Sequence, residues 1–356
     1  MPWGELPRGS KDAEPEGILL VDKDQGVTSH DVVGAVRRLA ATRKVGHGGT
    51  LDPMATGLLT IGIGRATKLL TYITGEDKDY AATICFGVAT TTEDADGEPM
   101  SEPAPGLAGS PLAAALDTDA AQFASDIYGL APGPEAGQGA AEAALASAMS
   151  ALTGEISQVP SSVSAIKVDG KRAHELARAG EDFELAARKI TISRFEITGP
   201  LRPGPQIAVD GQTVDTLLLD VEVSCSSGTY IRALARDLGA ALGVGAHLTS
   251  LRRTRVGSWD VADARTVREH AVVVENDKPL AVLGIDEVCA ALLPVVRISD
   301  DEAALLARGQ FIEMKPLENA DRGSFPAAAF DPQGRAVAIV SKRSGKLKPD
   351  LQLRNN

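Results

Sequence analysis

The feature that most limits how this chain can fold is a glycine-rich segment near its amino terminus, RKVGHGGTLDPMATG at residues 43–57. The segment holds four glycines and one proline within fifteen residues, which is too many for a helix or a central strand. It therefore predicts a long loop. Glycine lets the backbone approach a ligand closely, and Pro53 biases Asp52 away from the helical conformation. The loop can thus present the Asp52 carboxylate from a rigid turn, although an ordinary Asp-Pro turn has the same sequence.

Regular elements are predicted on both sides of this loop. The apolar run GILLVDK at residues 17–23 predicts a buried strand, and the valines that follow Thr28 at helical spacing predict a capped helix ending near Ala41. Residues 216–225 predict a strand in which Leu219, Val221, Val223 and Cys225 alternate with polar residues and give one buried face. A glycine turn then precedes a helix on which Arg232 lies away from the apolar stripe.

Charge is distributed unevenly along the chain. The net charge of -12 argues against a polyanionic partner, because phosphate binding depends on Lys and Arg. However, ten acids and no Lys or Arg lie between Glu93 and Glu142, so the remainder is close to neutral. Residues 101–140, rich in Ala, Gly, Pro and acids, predict a mostly disordered insertion. Basic clusters lie at residues 37–44, 167–178 and 252–255. A nucleic-acid partner is therefore allowed.

Several function classes lack their sequence signals. The three cysteines are far apart and odd in number, and the five histidines show no ligand spacing, so neither a disulfide framework nor a metal site is expected. No GxGxxG or GxxxxGK[ST] motif points to a nucleotide cofactor. No apolar run reaches the roughly 18 residues that cross a bilayer, and no signal-peptide core is present. We expect a cytoplasmic protein that neither inserts into a membrane nor binds a metal or a cofactor. A reaction without a cofactor, such as an isomerisation or a hydrolysis, fits this expectation.

Six segments share a wider pattern. They are GILLVDKDQGVTSHDVV, VGHGGTLDPMATGLLTIGIGRATKL, KDYAATICFGVATTTEDADGE, QVPSSVSAIKVDGKRAHELAR, CSSGTYIRALARDLG and AHLTSLRRTRVGSW. In this order they resemble bacterial tRNA pseudouridine-55 synthases of the TruB family, over residues 17–258 apart from the acidic insertion. The resemblance implies a pseudouridine synthase fold of the α/β (α+β) class, with a central mixed, largely antiparallel sheet and a small C-terminal PUA-like module.

The same resemblance implies a division of the chain. Residues 1–16 are expected to be a flexible tail, residues 17–288 the catalytic domain, and residues 289–356 the RNA-binding PUA-like module. Within the catalytic domain, residues 158–180 match a lid that folds over RNA.

Site residues carry over by motif. The resemblance makes Asp52 the catalytic aspartate, Arg232 the arginine that pairs with it, and Tyr80 the tyrosine that stacks on the target base. A guanidinium bound in bidentate fashion would orient the Asp52 carboxylate and keep it ionised. Gly48 departs from the family pattern, which more often has threonine there. The resemblance also implies substrate-binding roles for His47, Lys23, Tyr230, Leu251, Lys167, Lys171, Arg172, Arg252 and Arg253.

The implied function is conversion of uridine 55 in the tRNA T-loop to pseudouridine by a protein acting as a monomer. Because the base lies inside the folded loop, it must be flipped out before the aspartate reaches it. The isomerisation conserves atoms, which agrees with the missing cofactor motifs. Two other interpretations stay open. One is a non-catalytic tRNA-binding or RNA-folding protein that uses the same cleft, and the other is an Asp-dependent nucleoside hydrolase that releases free uracil.

Overall fold

The computed structural model describes residues 2–10, 15–113, 138–161, 167–168, 171–172, 183, 185–319 and 323–354. The helices of this part of the chain are α1 (Ser29–Leu39), α2 (Leu70–Gly75), α3 (Gln138–Ala151), α4 (Ile231–Ala241), α5 (Val267–Glu275), α6 (Ile285–Leu292) and α7 (Asp300–Ala307). Its first strands are β1 (Gly17–Lys23), β2 (Val45–Gly48), β3 (Thr56–Ile63), β4 (Lys78–Phe86), β5 (Gly154–Gln158), β6 (Lys167–Val168), β7 (Lys171–Arg172), β8 (Arg188–Ile197), β9 (Arg202–Pro203) and β10 (Ile207–Val209). The later strands are β11 (Gln212–Val214), β12 (Leu217–Cys225), β13 (Ala246–Val256), β14 (Trp259–Asp260), β15 (Arg265–Thr266), β16 (Val295–Arg297), β17 (Ile312–Glu313), β18 (Ala327–Phe330), β19 (Ala336–Arg343) and β20 (Lys346–Gln352).

The chain forms two compact units. The first unit comprises Met1–Glu76 and Arg255–Asn356, and the second comprises Asp77–Thr254. The C-terminal residues therefore belong to the same unit as β1 and β3. One buried cluster of the first unit joins Ile18 and Leu58 to Val288 and Ile339, so the predicted C-terminal module shares a hydrophobic core with the strands that flank the glycine-rich segment.

The sheet of the first unit explains how the glycine-rich segment is held. β1 pairs antiparallel with β3 along its whole length, β2 adds to the other edge of β3, and β15 lies parallel to β1. Residues 43–57 were predicted as loop throughout, and that prediction is wrong for β2 and for Thr56 and Gly57, which begin β3. The side chains next to β2 pack so closely that a Cβ on Gly48 would lie 2.7 Å from Thr60 Oγ1. Glycine at this position therefore allows the strand to form.

Helix α1 begins and ends close to where the sequence predicts. The Thr28 hydroxyl accepts the Asp31 N–H at 3.0 Å, and the Asp31 carboxylate accepts the Thr28 N–H at 2.9 Å, which makes a capping box. The amino-terminal tail differs from expectation, because Trp3 and Leu6 are buried and the indole N–H of Trp3 donates to Asp24 at 2.7 Å. Residues 2–10 of the predicted flexible tail therefore pack onto the first unit.

The second unit is built on an antiparallel sheet in the order β5, β8, β12 and β4, with β13 beside β4 and β9 pairing with β12. The predicted alternation on β12 is confirmed. Leu217, Leu219, Val221, Val223 and Cys225 are all buried, while the residues between them are half-buried. This register places Tyr80 of β4 opposite Val223.

The C-terminal residues form a second sheet within the first unit, in the order β16, β18, β19, β20 and β17. The turn residues Pro332-Gln333-Gly334 predict a β-hairpin, which β18 and β19 form. The segment DDEAALLARGQ predicts a capped helix, which is α7 with Ser299 as its N-cap. The sheet that holds β1 and the sheet that holds β18 each combine a parallel pair with antiparallel pairs, as the mixed, largely antiparallel architecture predicts. Among the helices described, none is long and apolar enough to cross a membrane.

Candidate active site

The turn that carries Asp52 connects β2 to β3 in the first unit. Gly49 and Gly57 flank it with φ values of 88° and 98°, which non-glycine residues rarely adopt. The Ala55 N–H donates to the Asp52 carbonyl at 3.1 Å, which closes the turn. Asp52 itself is half-buried, whereas Leu51 and Ala55 are buried. The backbone thus holds a carboxylate at the edge of the interior, as the sequence predicts.

The buried side chain of Lys23 holds this turn in place. Lys23 is 1% exposed, and its ammonium donates to the carbonyls of Val27 at 2.7 Å, Asp24 at 3.0 Å and Pro53 at 3.3 Å. The Pro53 carbonyl also accepts the Gly26 N–H at 2.8 Å. Lys23 therefore ties the residue after Asp52 to the end of β1, and its predicted contact with substrate stays a prediction.

Ser29, the first residue of α1, holds the other side of the turn. Ser29 Oγ accepts the Leu51 N–H at 2.9 Å and is 3.0 Å from the Leu51 carbonyl, to which it donates. Both groups are buried, so these hydrogen bonds replace water for the backbone directly before Asp52. Helix α1 and strand β1 together position the turn.

Arg232 lies on the first turn of α4 in the second unit and is only 3% exposed. Its guanidinium donates to the Thr92 carbonyl at 2.8 Å and to Ser161 Oγ at 3.1 Å, and its Nε lies 3.5 Å from Asp94 Oδ2. Asp94 is buried as well. The helical spacing of the apolar residues predicts that Arg232 lies away from the apolar stripe of the helix. The residue is buried nevertheless, because another segment covers it.

That covering segment is a turn at residues 90–97. Asp94 Oδ1 accepts the Asp96 N–H at 3.1 Å, and the Thr90 hydroxyl donates to the Asp94 carbonyl at 2.7 Å. The Leu248 N–H on β13 donates to the Glu93 carbonyl at 3.0 Å. Sequence reasoning counted Asp94 only among the excess acids. The available signal was its place inside TTEDADG, one of the segments that carry the resemblance.

Tyr230 is positioned by its backbone. The Gln158 side chain accepts the Tyr230 N–H at 2.9 Å and donates to the Tyr230 carbonyl at 3.1 Å. Gln158 is buried at the end of β5, so it joins the start of α4 to the sheet. Tyr80 on β4 and Leu251 on β13 are both buried. Gln158 was predicted only as the first residue of the lid, and its contacts with Tyr230 were not predicted.

The predicted RNA-binding cations have unlike surroundings. Arg253 is 1% exposed, which disagrees with its expected contact with phosphates, because its guanidinium lies in the interior. Arg252 is half-buried. Lys167, Lys171 and Arg172 lie on the paired strands β6 and β7, while most of the predicted lid and of the acidic insertion falls outside the described residues.

The predicted site residues are divided between the two units. Lys23, Asp52 and the half-buried His47, which sits on β2 opposite Ile61, lie in the first unit. Tyr80, Tyr230, Arg232, Leu251, Arg252 and Arg253 lie in the second unit. The pairing of Asp52 with Arg232 stays a prediction. Within the described ranges, no group of three or more His, Cys, Asp or Glu side chains could hold a metal ion.

Three protein families match successive parts of the chain, and individual proteins match it over nearly its full length. Residues 37–133 and 131–231 match "TruB family pseudouridylate synthase (N terminal domain)", residues 232–295 match "tRNA pseudouridylate synthase B C-terminal domain", and residues 293–354 match "tRNA Pseudouridine synthase II, C terminal". A protein of Arthrobacter sp. (strain FB24) called tRNA pseudouridine synthase B is 48% identical over 338 residues, which cover 94% of this chain and 95% of that protein. A protein of the same name from Corynebacterium aurimucosum is 46% identical over 334 residues, covering 94% and 95%.

Solved structures share the fold. A chain of the archaeal box H/ACA sRNP Nop10-Cbf5 complex has a TM-score of 0.60 at 21% identity and covers 97% of this chain and 88% of that one. A chain of an H/ACA RNP bound to a substrate RNA containing 2′-deoxyuridine has a TM-score of 0.60 at 20% identity, covering 97% and 87%. At this identity the likeness concerns the fold alone. The family matches and the full-length relatives go further, and the chain belongs to the TruB family of pseudouridine synthases.

Proposed function

We propose that this chain converts uridine to pseudouridine in tRNA, at position 55 of the T-loop. The observation that carries the proposal is the turn of the GTLDPMATG segment, where Lys23 and Ser29 hold the backbone on both sides of Asp52. A chain that needed only a connection between two strands would not require a buried ammonium and a buried hydroxyl there. Relatives over nearly the full length that are named tRNA pseudouridine synthase B support the same activity.

The reaction is an intramolecular transfer of the sugar from one base atom to another. The N1–C1′ bond of uridine breaks, the uracil turns in place, and a C5–C1′ bond forms. The proton on C5 leaves to solvent and N1 ends with a proton, so the product has the same atoms as the substrate. The steps need a carboxylate near C1′, a surface that holds the detached uracil, and a base for the C5 proton.

Asp52, Tyr80 and Arg232 are proposed to meet these needs. An ionised Asp52 attacks C1′ or removes a sugar proton, and the rigid turn limits its motion toward the sugar. The ring of Tyr80 holds the uracil by stacking, and its hydroxyl serves as the base at C5. Arg232 supplies the positive charge that keeps the carboxylate oriented and ionised.

Asp94 has a supporting part in this proposal. Burying an arginine without a counter-charge is costly, and the Asp94 carboxylate at 3.5 Å reduces that cost. The Thr92 carbonyl and the Ser161 hydroxyl fix one guanidinium nitrogen. These contacts fix the orientation of the guanidinium group and thus of its other N–H donors. A fixed orientation is a condition for bidentate recognition of a carboxylate.

Substrate binding is proposed to follow the family pattern. Residues 158–180 act as the lid over the T-loop, and residues 289–356 add contacts to the RNA outside the catalytic residues 17–288. The enzyme acts as a monomer in the cytoplasm. Recognition depends on shape, stacking and backbone contacts, because loop RNA offers these rather than a readable groove.

The test is release of tritium from a tRNA transcript labelled at C5 of its uridines. We expect Asp52→Asn to lose roughly 10³-fold or more in turnover, since the amide is not a nucleophile or base, while tRNA affinity stays within a few fold. Asp277→Asn is the matched control, because Asp277 is an exposed aspartate whose positive φ of 53° suits asparagine. Turnover by the Asp52 variant at the rate of the control would reject the role of Asp52.

Two further readouts separate the competing interpretations. A transcript with cytidine at position 55 should release no tritium, and continued release would reject the assignment to that position. Mass spectrometry of the product should show unchanged mass, whereas a nucleoside hydrolase would release uracil. Binding of tRNA by the wild-type chain with neither release nor base loss would favour the non-catalytic alternative.

A further inference from the structure

A cavity outside the proposed catalytic residues collects one of the basic clusters seen in the sequence. It has a volume of about 450 Å³ and lies in the first unit, between the amino-terminal tail and the end of α1. Arg8, Arg37, Arg38 and Arg43 line it, together with Thr42 and small residues. We call it the arginine cavity.

The tail is fitted closely against the helix end. The Gly9 N–H donates to the Arg38 carbonyl at 3.3 Å, and a Cβ on Gly9 would lie 2.0 Å from the Leu39 carbonyl oxygen. The Arg38 side chain donates to the carbonyl of Leu6, whose side chain is buried. Only glycine permits this approach, and the approach places Arg8 beside the helical arginines. The cavity is therefore a built feature of the unit.

Among the residues that the structure describes, little negative charge compensates the positive charge of the cavity. Glu5 approaches Arg38 at 3.7 Å, but its side chain is 94% exposed and therefore strongly screened. Arg37 reaches the Val45 carbonyl at 3.4 Å. The exposed Arg8 and Arg43 side chains make no hydrogen bond or ion pair with any residue that the structure describes. The negative end of the α1 dipole offsets only part of four guanidinium charges.

The lining points to a phosphate group rather than to a nucleobase. Guanidinium groups match phosphate oxygens in bidentate geometry, whereas none of the described residues that line the cavity is aromatic and could stack a base. Such contacts position a nucleic acid without reading its sequence. A polyanionic backbone therefore fits the cavity better than a free nucleotide does.

The chain also links the cavity to the catalytic turn. Arg43 precedes β2, which leads through His47 to Asp52, nine residues farther along. Nine residues span at most about 30 Å even when fully extended. A phosphate in the arginine cavity and a uridine at Asp52 can therefore belong to one RNA molecule.

We propose that the arginine cavity binds the phosphodiester backbone of the same RNA substrate, at nucleotides away from the target uridine. The identity of the RNA rests on the proposed function. The site contributes affinity and not chemistry, because none of its four arginines is among the proposed catalytic residues. Its contribution must fall with salt, since phosphate binding releases condensed counterions.

The test is the double variant Arg8→Glu with Arg43→Glu, compared with Lys278→Glu. The two arginine side chains are exposed and make no described contact that folding requires, and Lys278 is an exposed cation of the same unit outside the cavity. Binding of a full-length tRNA transcript is measured by fluorescence anisotropy over a series of salt concentrations. We expect the double variant to bind about tenfold or more weakly at low salt, with a salt slope smaller by about 2.

Turnover separates the cavity from the catalytic residues. At saturating tRNA the double variant should release tritium at a rate within about twofold of the wild-type rate, and Arg8→Lys with Arg43→Lys should restore most of the affinity, because lysine also binds phosphate as a point charge. An affinity and salt slope equal to those of Lys278→Glu would overturn the proposal. If the wild type binds tRNA without turnover and the double variant still loses affinity, the proposed function fails and the cavity proposal stands.

Discussion

Lys23 in the first unit and Arg232 in the second unit are both buried cations, and their charges are compensated in different ways. In the first unit, the Lys23 ammonium donates to three main-chain carbonyls at 2.7–3.3 Å. In the second unit, the Arg232 guanidinium lies 3.5 Å from a buried carboxylate and donates to one carbonyl and one hydroxyl. A lysine among carbonyls fixes the path of the backbone, whereas an arginine beside an aspartate fixes the direction of a side chain.

This difference determines what each substitution leaves behind. Removal of Lys23 leaves carbonyl oxygens without a donor, so the turn of Asp52 loses its support. Removal of Asp94 leaves a buried positive charge with less compensation, which is a larger penalty in a low-dielectric interior. The two units should therefore respond unequally to loss of one partner.

The largest effect is expected for Asp94→Asn. The change keeps the shape of the side chain and removes its charge, so the free energy of unfolding should fall by about 3–5 kcal/mol. Turnover should fall as well, because the Arg232 fork loses one of the contacts that orient it. Urea unfolding and tritium release measure the two effects. Asp96→Asn is the control, since Asp96 is an exposed acid of the same turn. An equal loss of unfolding free energy in both variants would show that the buried charge of Asp94 is unimportant.

Lys23→Met should have the next largest effect. The methionine keeps the apolar stem but leaves the carbonyls of Val27, Asp24 and Pro53 without the ammonium, at a cost of about 2–3 kcal/mol in unfolding free energy. Turnover should fall while tRNA affinity is kept, because the turn moves and the RNA surface does not. Lys68→Met is a matched control. Lys68 also donates to a main-chain carbonyl, that of Gln352 at 3.1 Å, but it does so at the surface. A similar loss in both variants would show that burial of Lys23 is unimportant.

The sequence predicted those features that depend on nearby residues. The capped helix α1, the alternating strand β12 and the C-terminal hairpin follow from periodicity, caps and turn residues, and all three were found. The mixed, largely antiparallel fold followed from the resemblance. Strand β2 was missed because its glycines signal a loop, whereas the close approach that makes them necessary depends on Thr60, farther along the chain.

The missed site residues depend on contacts between distant segments. Asp94 meets Arg232 across 138 positions, and Gln158 meets Tyr230 across 72. No pattern in the neighbouring sequence predicts such pairs. The burial of Arg253 also depends on contacts with distant segments. A run of arginines predicts an exposed surface, and the sequence of the run does not show that other elements cover one of them. The packing of the tail on α1, which creates the arginine cavity, was also beyond local signals.

Ser29→Ala tests the same turn with a smaller change. One hydroxyl both accepts from and donates to Leu51, so its loss leaves a buried N–H and a buried carbonyl unsatisfied. We expect a loss of about 1–2 kcal/mol in unfolding free energy and a fall of several fold in turnover. Ser193→Ala removes an exposed hydroxyl that donates to the Ser224 carbonyl in the second unit, and it should change neither quantity measurably. Equal effects of the two changes would place the support of the turn elsewhere.

The smallest effect concerns a buried histidine near β1. His270 Nε2 lies 3.1 Å from the Leu20 carbonyl, and its Nδ1 has no hydrogen-bond partner in the described structure. Burial lowers the pKa of His270 from its ordinary value of 6.5, although the Leu20 carbonyl opposes this.

Because the folded pKa of His270 lies below the unfolded pKa, its stabilising contribution is complete above pH 6.5 and is lost as the pH falls below that value. The loss cannot exceed about 1.4 kcal/mol per pH unit. Urea unfolding at pH 7.5, 6.5 and 5.5 should therefore show a shallower acid slope for His270→Gln than for His30→Gln, since His30 is exposed. An unchanged slope would mean that protonation of His270 brings no penalty and that a neighbouring group accepts the second N–H.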